Sequence, residues 1–99
     1  MRERDIEKYL VARAKIFGGE VRKVKWIGRA GAPDRFIMLP NRSFWVEVKA
    51  PDKKATPAQI REHRRMRLRG QIVHVVDSYV RVDEVLNGYA CVNEVLNGF

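Results

Sequence analysis

The sequence predicts a single domain of the α/β (α+β) class, with a mixed central sheet of about four strands flanked by helices. Apolar spacing changes along the chain between helical and extended patterns, in the order helix, three strands, helix, strand. The third strand, second helix and fourth strand form a crossover, which makes the last two strands parallel if they share a sheet. A length of 99 residues fits one small domain.

The first helix is predicted over residues 3–17. Its apolar stripe consists of Ile6, Leu10, Ala14 and Phe17. These positions recur at helical spacing, and the Gly18-Gly19 pair that follows ends the helix. Glu3 and Glu7 are one helical turn apart, so they share one side of this helix.

Three strands are predicted next. Their ranges are 20–27, 34–39 and 44–50. Residues 28–33 form a glycine- and proline-containing loop between the first two strands. Residues 40–42 form a turn that makes the second and third strands a hairpin, and Pro51 ends the third strand.

The second helix begins with a strong start signal. Thr56 is the cap, Pro57 takes the first helical position and Gln59 the third, and the helix is predicted to continue to Arg69. Residues 72–76 then form a nearly continuous apolar run, which is typical of a strand buried on both faces.

The tail, residues 79–99, contains a short repeat. Residues 82–89 reappear with few changes as residues 92–99. Each copy is interpreted as a single capped helical turn that starts at Asp83 or Asn93 and ends at Gly88 or Gly98. The repeat suggests packing or a dimer contact rather than chemistry.

The net charge and the cysteine content limit the classes of binding partner and site that the chain can have. A net charge of +8 indicates nucleic acid or an acidic membrane surface, and a basic adaptor for acidic proteins has only this charge in its favour. Cys91 is the single cysteine, which excludes an internal disulfide and a thiolate zinc site. Because a membrane span (~20 apolar residues) and a signal peptide are both missing from the sequence, we expect a cytoplasmic protein.

Acidic residues and a lysine come together in the predicted hairpin. In the third strand, Glu47 and Lys49 point to the same face, about 7 Å apart, which by itself is an ordinary surface charge pair. The hairpin would place Asp34 beside Glu47, although an Asp after Pro33 also suits a turn or cap. Two adjacent carboxylates repel each other unless a cation neutralises them, and Mg²⁺ or Mn²⁺ prefers such oxygen ligands.

These motifs resemble a known superfamily. The segment Gly31-Ala32-Pro33-Asp34-Arg35, the segment Glu47-Val48-Lys49-Ala50-Pro51 and Gln59 at a helix start are similar to the PD-(D/E)XK nucleases. Within that superfamily the chain resembles the short, stand-alone form of the virus-type replication-repair nuclease (VRR-NUC) family. The resemblance covers residues 3–78 and implies a restriction-endonuclease-like nuclease domain over residues 1–78. The tail at 79–99 lies outside the resemblance and is interpreted either as part of the same domain or as a dimer contact.

The resemblance also implies roles for individual residues. The metal ligands would be Asp34, Glu47 and the Val48 carbonyl group. Lys49 would position the attacking water. An acid from the first helix often completes such a site, with Glu7 as the first choice and Glu3 as the reserve.

Three further polar residues have structural alternatives. Gln59 would line the site according to the resemblance, but Thr56-x-x-Gln59 is also a capping box. His63 follows one turn later, where it could face the same site, but it is interpreted as a solvated helical residue. His74 lies in the buried strand and is interpreted as a satisfied structural residue.

The second helix is strongly basic, with five arginines within residues 61–69 and Glu62 as the one acid. Charge runs are often solvated faces, but phosphates would relieve the mutual repulsion of these arginines. The residues predicted to contact DNA are Lys23, Lys25, Arg29, Arg35, Arg61, Arg64 and Arg65.

The sequence therefore predicts a Mg²⁺- or Mn²⁺-dependent DNA endonuclease without a small-molecule cofactor or membrane partner. The resemblance implies a structure-selective homodimer that would act on branched DNA, such as four-way (Holliday) junctions, in DNA repair in a bacterial or phage-infected cell. The alternatives are a nickase or restriction-like nuclease with the same site, and a non-catalytic nucleic-acid-binding module. A binding module needs the arginines but has no use for Asp34, Glu47 and Lys49 together.

Overall fold

The computed structural model describes the backbone of residues 1–97 and the side chains of residues 1–89. The elements in chain order are α1 (Glu3–Ile16), β1 (Glu20–Lys23), β2 (Arg35–Leu39), β3 (Arg42–Val48), α2 (Pro57–Leu68), β4 (Val73–Val76) and α3 (Tyr79–Asn97). In this part of the chain the strands form one four-stranded sheet in the order β1-β2-β3-β4. Only β3 and β4 are parallel neighbours there, as the crossover through α2 predicts. The predicted mixed sheet is confirmed.

One face of the sheet is covered by α1 and α3. Ile6, Leu10 and Ala14 of the α1 stripe are buried there, against the alternate positions Phe44 and Val46 of β3, and Phe17, just past the helix, is partly buried. The other members of this core are Ile37, Leu39, Val48, Val76, Val82, Val85 and Leu86. Because this face is closed by two helices, the side chains of β3 that alternate with Phe44 and Val46 point to the opposite face, where α2 lies.

The first strand is shorter than predicted and ends at Lys23. Beyond it, the Val24 N–H still donates to the Asp34 carbonyl, at 2.8 Å. The chain then turns away, and the Trp26 ring N–H donates to the Pro33 carbonyl, at 2.7 Å. The prediction was too long because the partner strand β2 offers no further regular pairing on this side.

The start of α2 has the predicted capping box. The Thr56 hydroxyl accepts from the Gln59 N–H at 3.2 Å, and the Gln59 side-chain oxygen accepts from the Thr56 N–H at 2.9 Å. Pro57 is the first helical residue, and Gly70, at φ +84°, follows the last turn. The predicted start, and the predicted end to within one residue, are confirmed.

The strand β4 is buried less completely than predicted. Val73 and Val76 are buried, whereas His74 and Val75 are half-buried. The reason is that β4 lies at the edge of the sheet and has a strand neighbour on one side only. The ring Nε2 of His74 is 2.9 Å from the Tyr89 hydroxyl, so the interpretation of His74 as a satisfied structural residue is confirmed.

The first repeat in the tail is part of a long helix, which corrects the prediction of separate single turns. The helix α3 continues through Gly88, and the end expected at Gly98 lies outside the described residues. Ser78 caps α3 by accepting from the Arg81 N–H at 3.0 Å. Asp83 instead bonds the Tyr9 hydroxyl of α1 at 2.7 Å.

The physical reason is the apolar pattern of the repeat. The positions that face the core or pack against it are Val82, Val85, Leu86 and Tyr89. This is helical spacing, and its burial outweighs the cost of about 1 kcal/mol for a glycine within a helix. No helix in the part of the chain that the structure describes is long and apolar enough to cross a membrane.

Candidate active site

The hairpin of β2 and β3 sets two carboxylate residues opposite each other. The strands pair with Arg35 opposite Val46, so the next pair along the register is Asp34 and Glu47. Directly opposed residues in antiparallel strands have Cα atoms roughly 4.5–5.5 Å apart. The negative charge of Asp34 accordingly helps to raise the pKa of Glu47. The predicted hairpin is confirmed, and its register extended one residue beyond β2 places Asp34 opposite Glu47.

Glu47 is a buried carboxyl group with an unused acceptor atom. It is 8% exposed, and burial is the largest cause that raises its pKa to about 7. The positive charge of Lys49 opposes this rise, whereas the negative charges of Asp34 and Glu3 add to it. Its Oε1 has no hydrogen-bond partner among the described residues. This carboxyl group would be stabilised by a proton or by a bound cation.

His63 lies beside Glu47, so the prediction of a solvated histidine was wrong. It is 2% exposed, and its Nε2 is 3.6 Å from Oε1 of Glu47. Burial is the main cause that lowers its pKa, and the positive charges of Arg67 and Lys49 add to the effect.

A signal for this burial was present in the sequence. Met66 follows His63 at helical spacing and is also buried, so both residues belong to the side of α2 that faces the sheet. The five arginines of the helix obscure this narrow inward side in the sequence.

Arg35 joins two of the predicted site residues and does not belong to the exposed basic surface. It is 7% exposed, with Nη2 at 2.6 Å from Glu7 Oε2 and Nη1 at 2.8 Å from Asp34 Oδ1. The expectation of a DNA contact at Arg35 is therefore corrected. The alternation of β2 directs this side chain toward α1, where both ends of its guanidinium group are occupied by carboxylates.

The two acids of the first helix occupy different positions. Glu7 is held by Arg35 and is thereby linked to Asp34. Glu3 is exposed, and its negative charge raises the pKa of Glu47. Glu7 is thus linked to Asp34 by ion pairs through Arg35, whereas Glu3 acts on Glu47 only through its charge. The choice of Glu7 over Glu3 as the acid that completes the site stays a prediction.

Lys49 continues the course of β3 by one residue. Its N–H donates to the Val76 carbonyl at 2.8 Å, which keeps the chain extended and places its side chain on the same face as Glu47. Val48 lies between them, at the end of the strand. For Gln59 the capping role is confirmed, and its contribution to the site stays a prediction.

Basic residues border this site beside Asp34, and others are exposed on α2. Lys23, Lys25 and Arg29 are exposed and line a depression of about 410 Å³ together with Asp34. On α2, the exposed arginines predicted to contact DNA are Arg61, Arg64 and Arg65. The basic residues around this depression suit an anionic ligand beside Asp34.

The loop between β1 and β2 is fixed against the start of α2. Gly31 has φ +83°, and a Cβ atom added there would lie 2.6 Å from the Ala58 carbonyl oxygen. Another residue at this position would push the loop away from the helix. This close contact sets the position of the segment that leads to Asp34.

The donor set at the site suits a hard divalent cation. Within residues whose side chains are described, no three His, Cys, Asp or Glu residues form a metal-binding group by themselves. Mg²⁺, however, is commonly held by one or two carboxylates, with waters and substrate phosphates completing its coordination. The opposed Asp34 and the unpartnered Oε1 of Glu47 fit such an ion.

Comparisons with known proteins show similarity to nucleases over most of the chain. No family model matches the sequence. A protein named "Putative nuclease p44", from Acyrthosiphon pisum secondary endosymbiont phage 1, is 47% identical over 79 residues, which cover 79% of this chain and 85% of that protein. A solved structure described as "VRR_NUC domain" matches with a TM-score of 0.80 at 42% identity, covering 88% of this chain and 96% of the other.

Proposed function

Because the chain belongs to the VRR-NUC family of nucleases, we propose that it is a Mg²⁺- or Mn²⁺-dependent endonuclease that hydrolyses phosphodiester bonds in DNA. The observation that carries the proposal is the register that sets Asp34 opposite Glu47. Lys49 follows on the same face, and basic residues flank the pair. This combination has a use in phosphodiester hydrolysis and little use in structural stabilisation alone.

The proposed metal ligands are Asp34, Glu47 and the carbonyl group of Val48. When bound, the ion would offset the charge that develops on the phosphate and lower the pKa of a coordinated water. The burial that raises the pKa of Glu47 supports this role, because a carboxyl group that loses its proton there needs a compensating positive charge.

Hydrolysis forms one phosphorus–oxygen bond to water and breaks one ester bond, and the departing oxygen takes up a proton. Lys49 is proposed to hold the attacking water and to share the negative charge of the phosphate. The positive charge of Lys49 lowers the pKa of both Glu47 and His63, which supports this role. Glu7 would act through Arg35 by holding Asp34 in place.

The flanking basic residues support DNA as the substrate. Their side chains would contact phosphates, which report the shape of the duplex and not its base sequence. We extend the proposal to branched DNA, such as a four-way junction, cut by a homodimer that carries one site for each of two strands. A nickase with the same site is the alternative enzyme.

The test compares cleavage of a labelled four-way junction and a labelled linear duplex with Mg²⁺, Mn²⁺ or EDTA. Wild type is expected to cut only with a metal ion and to prefer the junction. Asp34→Asn and Lys49→Ala are expected to abolish cleavage, and Glu20→Gln, which changes an exposed carboxylate on β1, serves as the control.

Cleavage that persists in EDTA, or in either site variant, would contradict the mechanism. Binding of DNA without cleavage under all conditions would favour the non-catalytic binding module. Sedimentation of the same protein tests the dimer, and a monomer that still cuts both strands would contradict that part of the proposal.

A further inference from the structure

A second depression lies beside the candidate active site on the same face of the sheet. It has a volume of about 250 Å³ and shares Trp26 and Arg29 with the depression at Asp34. The lining residues used below are Trp26, Trp45, Arg29, Arg65, Arg69 and Glu62. Both tryptophans of the chain are among them, and the hydrolytic mechanism uses neither.

The two indole rings are held so that they present ring surface and not hydrogen-bonding groups. Their centroids are 5.2 Å apart at an angle of 48°. The Trp26 ring N–H donates to the Pro33 carbonyl at 2.7 Å, and the Trp45 ring N–H donates to the Gln71 side chain at 3.1 Å. Because both N–H groups are already bonded within the protein, a ligand would meet the apolar faces and edges of the rings.

Positive charge borders these rings. Glu62 is 4% exposed and binds Arg29 at 3.2 Å and Arg65 at 3.3 Å, while the two arginine side chains remain 52% and 54% exposed. Arg69 adds a further exposed guanidinium group. Three cationic groups with one acid favour a ligand that is both flat and negatively charged, and a nucleotide has this combination.

We propose that this depression, the Trp26–Trp45 pocket, binds an unpaired nucleobase next to the phosphodiester bond that is cut. A base inside a duplex has both faces covered by its neighbours, so it can stack on an indole ring only after it leaves the helical stack. The residues shared with the depression at Asp34 place that base next to the site. The inference rests on the proposed function because it takes DNA as the substrate, and it adds a reason for preferring branched or interrupted duplexes.

The test measures equilibrium binding in EDTA to a duplex with a single unpaired adenine and to the same duplex fully paired. Trp26→Ala is expected to weaken binding to the interrupted duplex roughly tenfold, while binding to the paired duplex changes less than about twofold. Trp26→Phe keeps a ring and should retain most of the affinity. Ile27→Ala changes a neighbouring residue that is 92% exposed and should alter neither.

Wild-type protein supplies a second measurement that needs no substitution. Both tryptophans line the pocket, so tryptophan fluorescence should be quenched more strongly by the interrupted duplex than by the paired one. Equal quenching by both duplexes would overturn the proposal. Equal weakening of both complexes by Trp26→Ala would also overturn it. A Trp26→Phe variant that binds as weakly as Trp26→Ala would do the same, because Trp26→Phe loses the bond to Pro33 but keeps an aromatic ring.

The outcome is separable from that of the proposed function. Selective binding of the unpaired base by a protein that cleaves nothing with Mg²⁺ or Mn²⁺ would support the pocket and contradict the nuclease mechanism. Metal-dependent cleavage by a protein that binds both duplexes alike would support the nuclease mechanism and contradict the pocket.

Discussion

The Nε2 atom of His63 lies 3.6 Å from the Oε1 atom of Glu47, and both atoms are without hydrogen-bond partners within the described residues. Buried polar groups are normally hydrogen-bonded, and exceptions are common at functional sites. A small movement would let the ring N–H donate to the carboxylate. Such a bond would orient Glu47 toward an ion on its other side, which would make His63 a positioning residue.

Replacing His63 with Phe tests this relationship. The variant keeps a buried ring of similar size, so we expect the free energy of unfolding to change by less than about 1.5 kcal/mol. The metal concentration for half-maximal cleavage should rise roughly tenfold, because groups that orient a metal ligand have effects of about that size. His63→Gln, which restores a donor, should recover part of the loss, and His74→Phe should leave the metal requirement unchanged. An unchanged metal requirement in His63→Phe would show that the histidine only fills space.

The raised pKa of Glu47 predicts a pH-dependent effect of Glu47→Gln on stability. Between its ordinary pKa of 4.5 and the native value of about 7, the folded protein holds a proton that the unfolded chain releases. The contribution of Glu47 to wild-type stability therefore falls as pH rises through this range, by up to about 3 kcal/mol. Gln does not titrate, so the stability of the Glu47→Gln variant does not fall in this way.

Urea unfolding in EDTA measures the effect. At pH 4 both proteins are neutral at this position and should be about equally stable, whereas at pH 8 Glu47→Gln should be more stable by about 1–3 kcal/mol. Addition of Mg²⁺ at pH 8 should stabilise wild type and not the variant, because only wild type keeps the full ligand set. The same stability difference at both pH values would contradict the assignment.

Removing Arg35 is expected to lower the free energy of unfolding more than removing an exposed arginine does. Arg35→Leu removes the cation between Glu7 and Asp34, and we expect a loss of about 2 kcal/mol in the free energy of unfolding. The control is Arg22→Ala, since the pair of Arg22 with Glu20 is more than half exposed and should contribute at most about 1 kcal/mol.

Arg35→Lys should recover only part of this stability, because one ammonium group does not span two carboxylates as a guanidinium group does. Urea unfolding at neutral pH measures all three variants. A loss in Arg35→Leu no greater than that in Arg22→Ala would show that the buried arginine has no special role.

The arginines of α2 predict a change in the salt dependence of DNA binding. Arg61→Ala should weaken binding to paired and interrupted duplexes alike and reduce the slope of log affinity against log salt by about one. The matched control is Arg42→Ala, at the β2–β3 turn and so at the opposite end of the hairpin from Asp34 and Glu47. Fluorescence anisotropy over a salt series gives both slopes, and equal slopes for the two variants would argue against DNA contact by α2.

Local sequence patterns determined a large part of this structure. The two-residue hairpin turn at Pro40 and Asn41, one residue shorter than predicted, pairs Leu39 with Arg42 and so sets Asp34 opposite Glu47, and the Thr56 capping box fixes where α2 begins. The crossover between β3 and β4 determined the parallel pair. The turn and the capping box depend on residues close together in sequence, and the parallel pair follows from the order strand, helix, strand, so these features can be predicted without the tertiary structure.

Only the tertiary structure decided which side chains the helices bury against the sheet. The placement of α2 buried His63 beside Glu47, and the placement of α1 turned Arg35 away from the DNA surface toward Glu7. Packing on the sheet also joined the first tail repeat into α3 across Gly88. These outcomes depend on contacts between distant parts of the chain. The free energy gained by burying one side of a helix depends on the surface that covers it, which the spacing of apolar residues along the helix does not specify.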